Sequence, residues 1–176
     1  MTDAFAHALR LDQIRDGDRL DLSANEEERR SVARRLGLAS LRCFEAHVAL
    51  SVEGRTTIRA QGRLQAAVDQ SCVVTGEPVP AHVDEPFELL FVPEPQSENS
   101  DEEIELGAAD CDITFHDGAQ IDLGSALADT LALSLDPYPR SAGADAAMRE
   151  AGIITEEQAS PFAALARLKR TESDET

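Results

Sequence analysis

The sequence predicts an α+β fold: an antiparallel sheet, open or curled toward a barrel, with helices flanking it. Three observations predict it. Three consecutive stretches alternate apolar and polar residues with the period of a half-buried strand. Short turns bearing Gly or Pro join them, as in a meander. Two segments of helical apolar spacing lie outside the three, which suits helices packed on a sheet.

Taken in chain order, Phe5, Leu9 and Leu11 share one face of a first strand, and Asp16-Gly17-Asp18 reads as a turn. Ser23-Ala24-Asn25-Glu26 has capping-box spacing and opens a helix. Glu26, Glu27 and Glu28 suit that helix's positive end and Arg34 and Arg35 its negative end, and Gly37 stops it. Phe44, Ala46, Val48, Leu50 and Val52 then alternate with polar residues, and Glu53-Gly54 turns the chain into a strand with Ile58, Ala60, Leu64, Ala66 and Val68 on its even face. The stretch Cys72–Pro78 breaks the pattern, and a third strand carries Val79, Ala81, Val83, Phe87, Leu89 and Phe91 on odd positions. Residues 93–110 are charged and poor in apolar groups, which predicts a disordered acidic loop. Cys111–Phe115 and Gln120–Asp122 flank His116-Asp117-Gly118 and read as a small hairpin. Asp122 caps a second helix with Leu123, Ala126, Leu127 and Leu131 on one face, ended by Pro137 and Pro139. The predicted core comprises Phe44, Val48, Leu50, Ile58, Leu64, Phe87, Leu89, Phe91, Leu127 and Leu131. The expected organisation is one domain over 1–139, then a linker and a short C-terminal helix over 140–176. That helix starts at Ser160-Pro161 and carries Phe162, Leu165 and Ala166 on its apolar side.

A chain of 176 residues is long enough to bury a core without metals or disulfides. Its three cysteines, Cys43, Cys72 and Cys111, are odd in number and widely spaced, which argues against a disulfide framework. No apolar stretch suits a signal peptide or a membrane span, so the expected location is a reducing cytoplasm, with no membrane partner. The net charge of −18 is unevenly spread. Residues 1–63 hold 11 Lys/Arg and 10 Asp/Glu, whereas residues 64–139 hold 17 Asp/Glu and no Lys or Arg. The acidic middle would repel nucleic acid and attract a basic partner, or serve only solubility.

Chemistry is sparsely signalled. Each cysteine precedes a histidine (Cys43 and His47, Cys72 and His82, Cys111 and His116), yet the tight cysteine knuckle of a structural zinc site is absent from the spacing. No nucleophile elbow and no Gly-rich phosphate loop occur. The reading is therefore a non-enzymatic protein that takes no metal, cofactor or small-molecule substrate. Two arginine groups are candidate phosphate contacts: Arg29, Arg30, Arg34 and Arg35 on the first helix, and Arg55, Arg59 and Arg63 on one face of a strand. The alternative for both is pairing with acids of the same chain. No aromatic residues interleave with them, so base stacking is not expected. The C-terminal segment Ser160–Arg170, with Phe162 and Leu165 on its apolar side and Lys169 in its basic end, is a candidate docking element for a partner or for the domain itself.

Three stretches, in order, resemble the YceD family of large ribosomal RNA subunit accumulation proteins. They are Gln70-Ser71-Cys72-Val73-Val74-Thr75-Gly76-Glu77-Pro78-Val79; Gln120-Ile121-Asp122-Leu123-Gly124 through Pro137-Tyr138-Pro139; and Ser160-Pro161-Phe162 through Lys169. Cys72, Thr75, Glu77, Pro78, Asp122 and Pro137 are the motif positions that carry it. Some relatives have Cys-x-x-Cys at the first motif; Thr75 stands at the second position here, which removes a chelating pair. The resemblance implies a factor in large ribosomal subunit biogenesis that supports 23S rRNA synthesis, processing or accumulation. Its expected partner is a precursor of that RNA, a basic large-subunit ribosomal protein, or both. An acidic protein–protein adaptor without a ribosomal role is the alternative, and a metal-dependent RNA-processing enzyme a third reading.

Overall fold

The computed structural model describes residues 5–54, 56–94 and 112–152. The strands are β1 (Ala8–Arg10), β2 (Arg19–Ser23), β3 (Ser40–Glu53), β4 (Thr57–Ser71), β5 (Pro78–Pro93), β6 (Asp112–His116) and β7 (Gln120–Asp122). The helices are α1 (Glu26–Leu36), α2 (Leu123–Ser134) and α3 (Ala144–Glu150), with one 3-10 turn at Leu11–Gln13.

The alternating stretches become the three long central strands of a five-stranded sheet in the order β2-β3-β4-β5-β6. Its first four strands are antiparallel neighbours, and the sheet is α+β and open. Every residue of the predicted core is buried, from Phe44 to Leu131. The period-2 pattern succeeds because the inner faces of β3, β4 and β5 all turn toward α2, whose Leu123, Leu127 and Leu131 are fully covered. Phe5 lies over the same layer, its ring centroid 5.0 Å from that of Phe44.

Several details differ from the sequence reading. The cap of α1 is Asn25, whose side chain accepts from the N–H groups of Glu27 and Glu28 while Glu28 reaches back to the Asn25 N–H. Ser23 instead ends β2, a strand with only Leu20 and Leu22 on its apolar face. Sequence spacing fitted two overlapping boxes, and the strand claimed the first. The first strand is also shorter than read, because Leu11 enters the 3-10 turn. Gly37 does end α1, in the left-handed region at φ 66°.

The predicted hairpin over 111–122 does not form. β6 runs parallel to β5, and β7 pairs antiparallel with β1, so the two segments belong to different sheets. A turn signal such as His116-Asp117-Gly118 is local and says nothing about which strand lies next door. Parallel pairing needs a long crossover, which the connection from Glu94 to Asp112 is long enough to make. The stretch read as linker holds α3, and Ala144 in it is buried. The acidic loop expected at 93–110 lies almost wholly outside the described residues, as does the C-terminal helix at 160–170.

Gly124 explains how the small sheet meets α2. A Cβ there would sit 1.7 Å from the Phe5 carbonyl oxygen. Only glycine lets the N-terminal strand cross the first turn of α2, where Leu123 N–H donates to the His7 carbonyl at 3.1 Å.

Candidate functional site

Two assemblies of polar residues stand out, and they use different parts of the sequence. The first is built around Cys72, at the end of β4. Val73, Val74 and Thr75 turn the chain, closed by Gly76 N–H donating to the Cys72 carbonyl at 2.9 Å and Cys72 N–H donating to the Glu77 carbonyl at 2.8 Å. Pro78 then opens β5. The buried Cys72 Sγ accepts from the Thr75 N–H at 3.4 Å and from the Ser141 N–H at 3.2 Å. Thr75 Oγ1 lies 3.1 Å from both Ser141 Oγ and Glu77 Oε2.

The segment that follows α2 is thereby pinned to the Cys72 turn. Val73 N–H donates to the Pro139 carbonyl at 2.9 Å, and the buried Gln70 side chain donates to the Asp136 carbonyl at 2.7 Å. Hydrogen bonds from Thr75 first, and then from Ser141, outweigh burial and bring the Cys72 thiol down to about 6. Beside this junction lies a cleft of about 330 Å³, with Leu38, Val73, Leu135, Pro137 and Pro139 among its walls. Val73 in its wall is 53% exposed, and Tyr138, between two prolines that line the cleft, is 72% exposed.

The second assembly is a groove of about 610 Å³ between α1 and the start of β3. Arg29, Arg30, Arg34 and Arg42 line it with a single acid, Glu26. Arg42 was not among the sequence candidates. It is the extra residue of a β-bulge, for Leu41 pairs with Val68 and Cys43 with Ala67. Without the bulge, the alternation set by Phe44 would aim position 42 into the core. The bulge sends Leu41 inward instead and leaves the Arg42 side chain half exposed.

The remaining arginine candidates divide sharply. Arg59 is held between Glu53 and Glu88, and Arg63 by Asp84. These are the intramolecular pairs that the acidic middle of the chain allowed, and they neutralise the strand patch. Arg35 turns away from the groove to Asp129 and Ser125 on α2. Arg55, Phe162, Leu165 and Lys169 lie outside the described residues. Asp122 caps α2 as read, accepting from the Ser125 N–H at 3.0 Å.

Of the three cysteine–histidine pairs, that of Cys111 and His116 has its cysteine outside the described residues. Among the described residues, no three or more His, Cys, Asp or Glu gather as a metal site. His116 is buried with both nitrogens occupied, Nε2 donating to the Thr56 carbonyl at 2.7 Å and Nδ1 accepting from the Gly118 N–H at 3.0 Å. His82 pairs across from Ala67, well along the strand from Cys72, and His47 contacts Asp21.

The model of the family described as "Large ribosomal RNA subunit accumulation protein YceD" matches residues 60–169, more than half of the chain. The chain belongs to the YceD family. Comparison with curated proteins gave no match, and neither did comparison with solved structures. The YceD span begins within β4 and takes in the Cys72 junction. The arginine groove, from Glu26 to Arg42, lies ahead of it. The family's name ties the chain to accumulation of large-subunit ribosomal RNA, and among the described residues no helix is long and apolar enough to cross a membrane.

Proposed function

We propose that this chain is a cytoplasmic, non-enzymatic factor in large ribosomal subunit biogenesis. It supports 23S rRNA synthesis, processing or accumulation by binding a precursor of that RNA or a basic large-subunit ribosomal protein. The observation that carries the reading is the Cys72 junction. Two motifs about 60 residues apart in the family span close on one another through backbone and side-chain hydrogen bonds. What those motifs build is a rigid scaffold with exposed Val73 and Tyr138 beside a cleft. A preorganised surface of this kind suits recognition, since little ordering entropy remains to be lost on binding.

The test is genetic and quantitative. Cells lacking the chain should accumulate less 23S than 16S rRNA, and re-expression should restore the ratio. Re-expression of a Tyr138→Ala, Val73→Ser variant that folds normally should restore it less well. An unchanged ratio in the cells lacking the chain would reject the proposal in favour of an adaptor without a ribosomal role.

A further inference from the structure

We infer that the arginine-lined groove between α1 and β3 is a docking surface for the phosphate backbone of RNA, a step that rests on the ribosomal reading above and gives it a surface. In a chain of net charge −18, four arginines against one acid line this groove. The acids of α1 are confined to its first turn, Glu26 to Glu28, while the arginines run from position 29 to its last turn. Residues four apart on a helix share a face, so Arg30 and Arg34 lie on one side of α1, and both line the groove.

Pairing within the molecule does not consume this charge as it does on the sheet. Among the described residues Arg30 pairs only with the exposed Glu26, a pair of the kind that contributes little. Arg42 meets Asp69 at 3.3 Å. Arg29 donates to the Ala24 carbonyl at 2.7 Å, with no carboxylate among its partners in the described residues. Arg34 makes no ion pair among the described residues. The contrast with Arg59 and Arg63, whose carboxylates stand at diagonal positions on the neighbouring strands, is a contrast between a neutralised patch and an available one.

The chemistry also selects among anions. Guanidinium groups offer a planar fork of donors that matches phosphate oxygens two at a time. Among the described residues no aromatic side chain lines the groove, so they offer nothing on which an unpaired base could stack. That favours contact with the backbone of structured RNA over reading of single-stranded bases. The bulge at Arg42 fits the same account: it interrupts β3 and places a fourth guanidinium on the strand side of the groove, opposite the three of α1.

The test uses the full chain and two probes, a transcribed fragment of 23S rRNA precursor and a DNA duplex of equal length. Binding is followed by fluorescence anisotropy over a range of salt. The wild-type chain should bind the RNA with a salt-dependent affinity, and an Arg30→Ala, Arg34→Ala variant should lose about 0.7–0.9 of log–log salt slope per phosphate contact removed. Arg34→Lys should keep the slope and weaken binding several-fold, because charge stays and the fork goes. Arg63→Ala, on the neutralised patch, should bind like wild type. If the double variant melts lower than the parent, Arg34→Glu carries the test alone, since no ion pair in the described structure is lost with it.

An unchanged slope in the arginine variants would overturn the inference, as would equal binding of the DNA duplex, or capture of a basic ribosomal protein by a wild-type chain that binds no RNA. If any of these occurs while 23S accumulation still depends on the chain, the docking surface is wrong and the proposed function stands. If 23S accumulation does not depend on the chain, the reading beneath the inference has failed.

Discussion

Cys72 concentrates the chemistry of the junction in one atom. Its sulfur is buried and accepts two N–H groups, so the folded state favours the thiolate and holds its pKa at about 6 against an ordinary value near 9. Between those values the unfolded chain keeps a proton that the folded chain has released. Stability contributed by this group therefore grows as pH rises from 6 toward 9 and is lost as pH falls through the folded value. The expected outcome is a melting temperature that climbs over that window in the wild-type chain, with a smaller climb in Cys72→Ala. Parallel profiles for the two proteins would show that the sulfur stays protonated. Hydrogen bonding from Thr75, its side chain first and its backbone N–H with it, is the largest cause of the shift.

At the scale of the element, α1 is held at both ends by local chemistry and along its length by little. Val32 and Ala33 are its only buried residues. An amphipathic helix this short draws most of its stability from packing and caps, and here the Asn25 box supplies an unusually large share. Asn25→Ala should cost about 1 kcal/mol, within roughly 0.5–2 kcal/mol, read by urea denaturation, while Asn25→Asp should retain most of that. A loss well under that range would mean that packing of Val32 alone holds the helix. The consequence reaches function: fraying of the first turn would release Glu26 and let Arg30 and Arg34 drift from the groove. The long strands behave differently, because β4 is paired along nearly its whole length with β3 on one side and β5 on the other.

For the molecule as a whole, charge is divided between surfaces. The acids of the middle segment neutralise the arginines of the central strands, as at Glu88 and Asp84, and still leave the chain at −18. Self-repulsion of that size opposes the compact state, whereas exposed ion pairs contribute about 0–1 kcal/mol each. Repulsion should therefore dominate. Raising salt from about 0.01 M to about 0.15 M, which shortens the Debye length from about 30 Å to about 8 Å, should raise the melting temperature. A falling melting temperature would show that the local pairs outweigh the repulsion. The same salt range should weaken RNA binding, so stability and affinity are expected to move in opposite directions.

The sequence by itself determined the three central strands, their inward faces, the body of α2 and its Asp122 cap, because each follows from a period or a cap that neighbouring residues spell out. It also determined the family, through motifs legible in order along the chain. Only the tertiary structure decided which of those pieces meet. That β6 lies parallel to β5 while β7 joins β1, that Ser141 closes on Cys72, and that Arg42 joins the α1 arginines are facts about partners far apart in the chain. Two arginine groups looked alike in sequence. The fold sends Arg59 and Arg63 to carboxylates on the neighbouring strands and leaves Arg34 without one among the described residues. The physical reason is that hydrophobic period is a property of consecutive residues, whereas a bulge, a strand neighbour and an ion pair depend on what the rest of the chain places alongside.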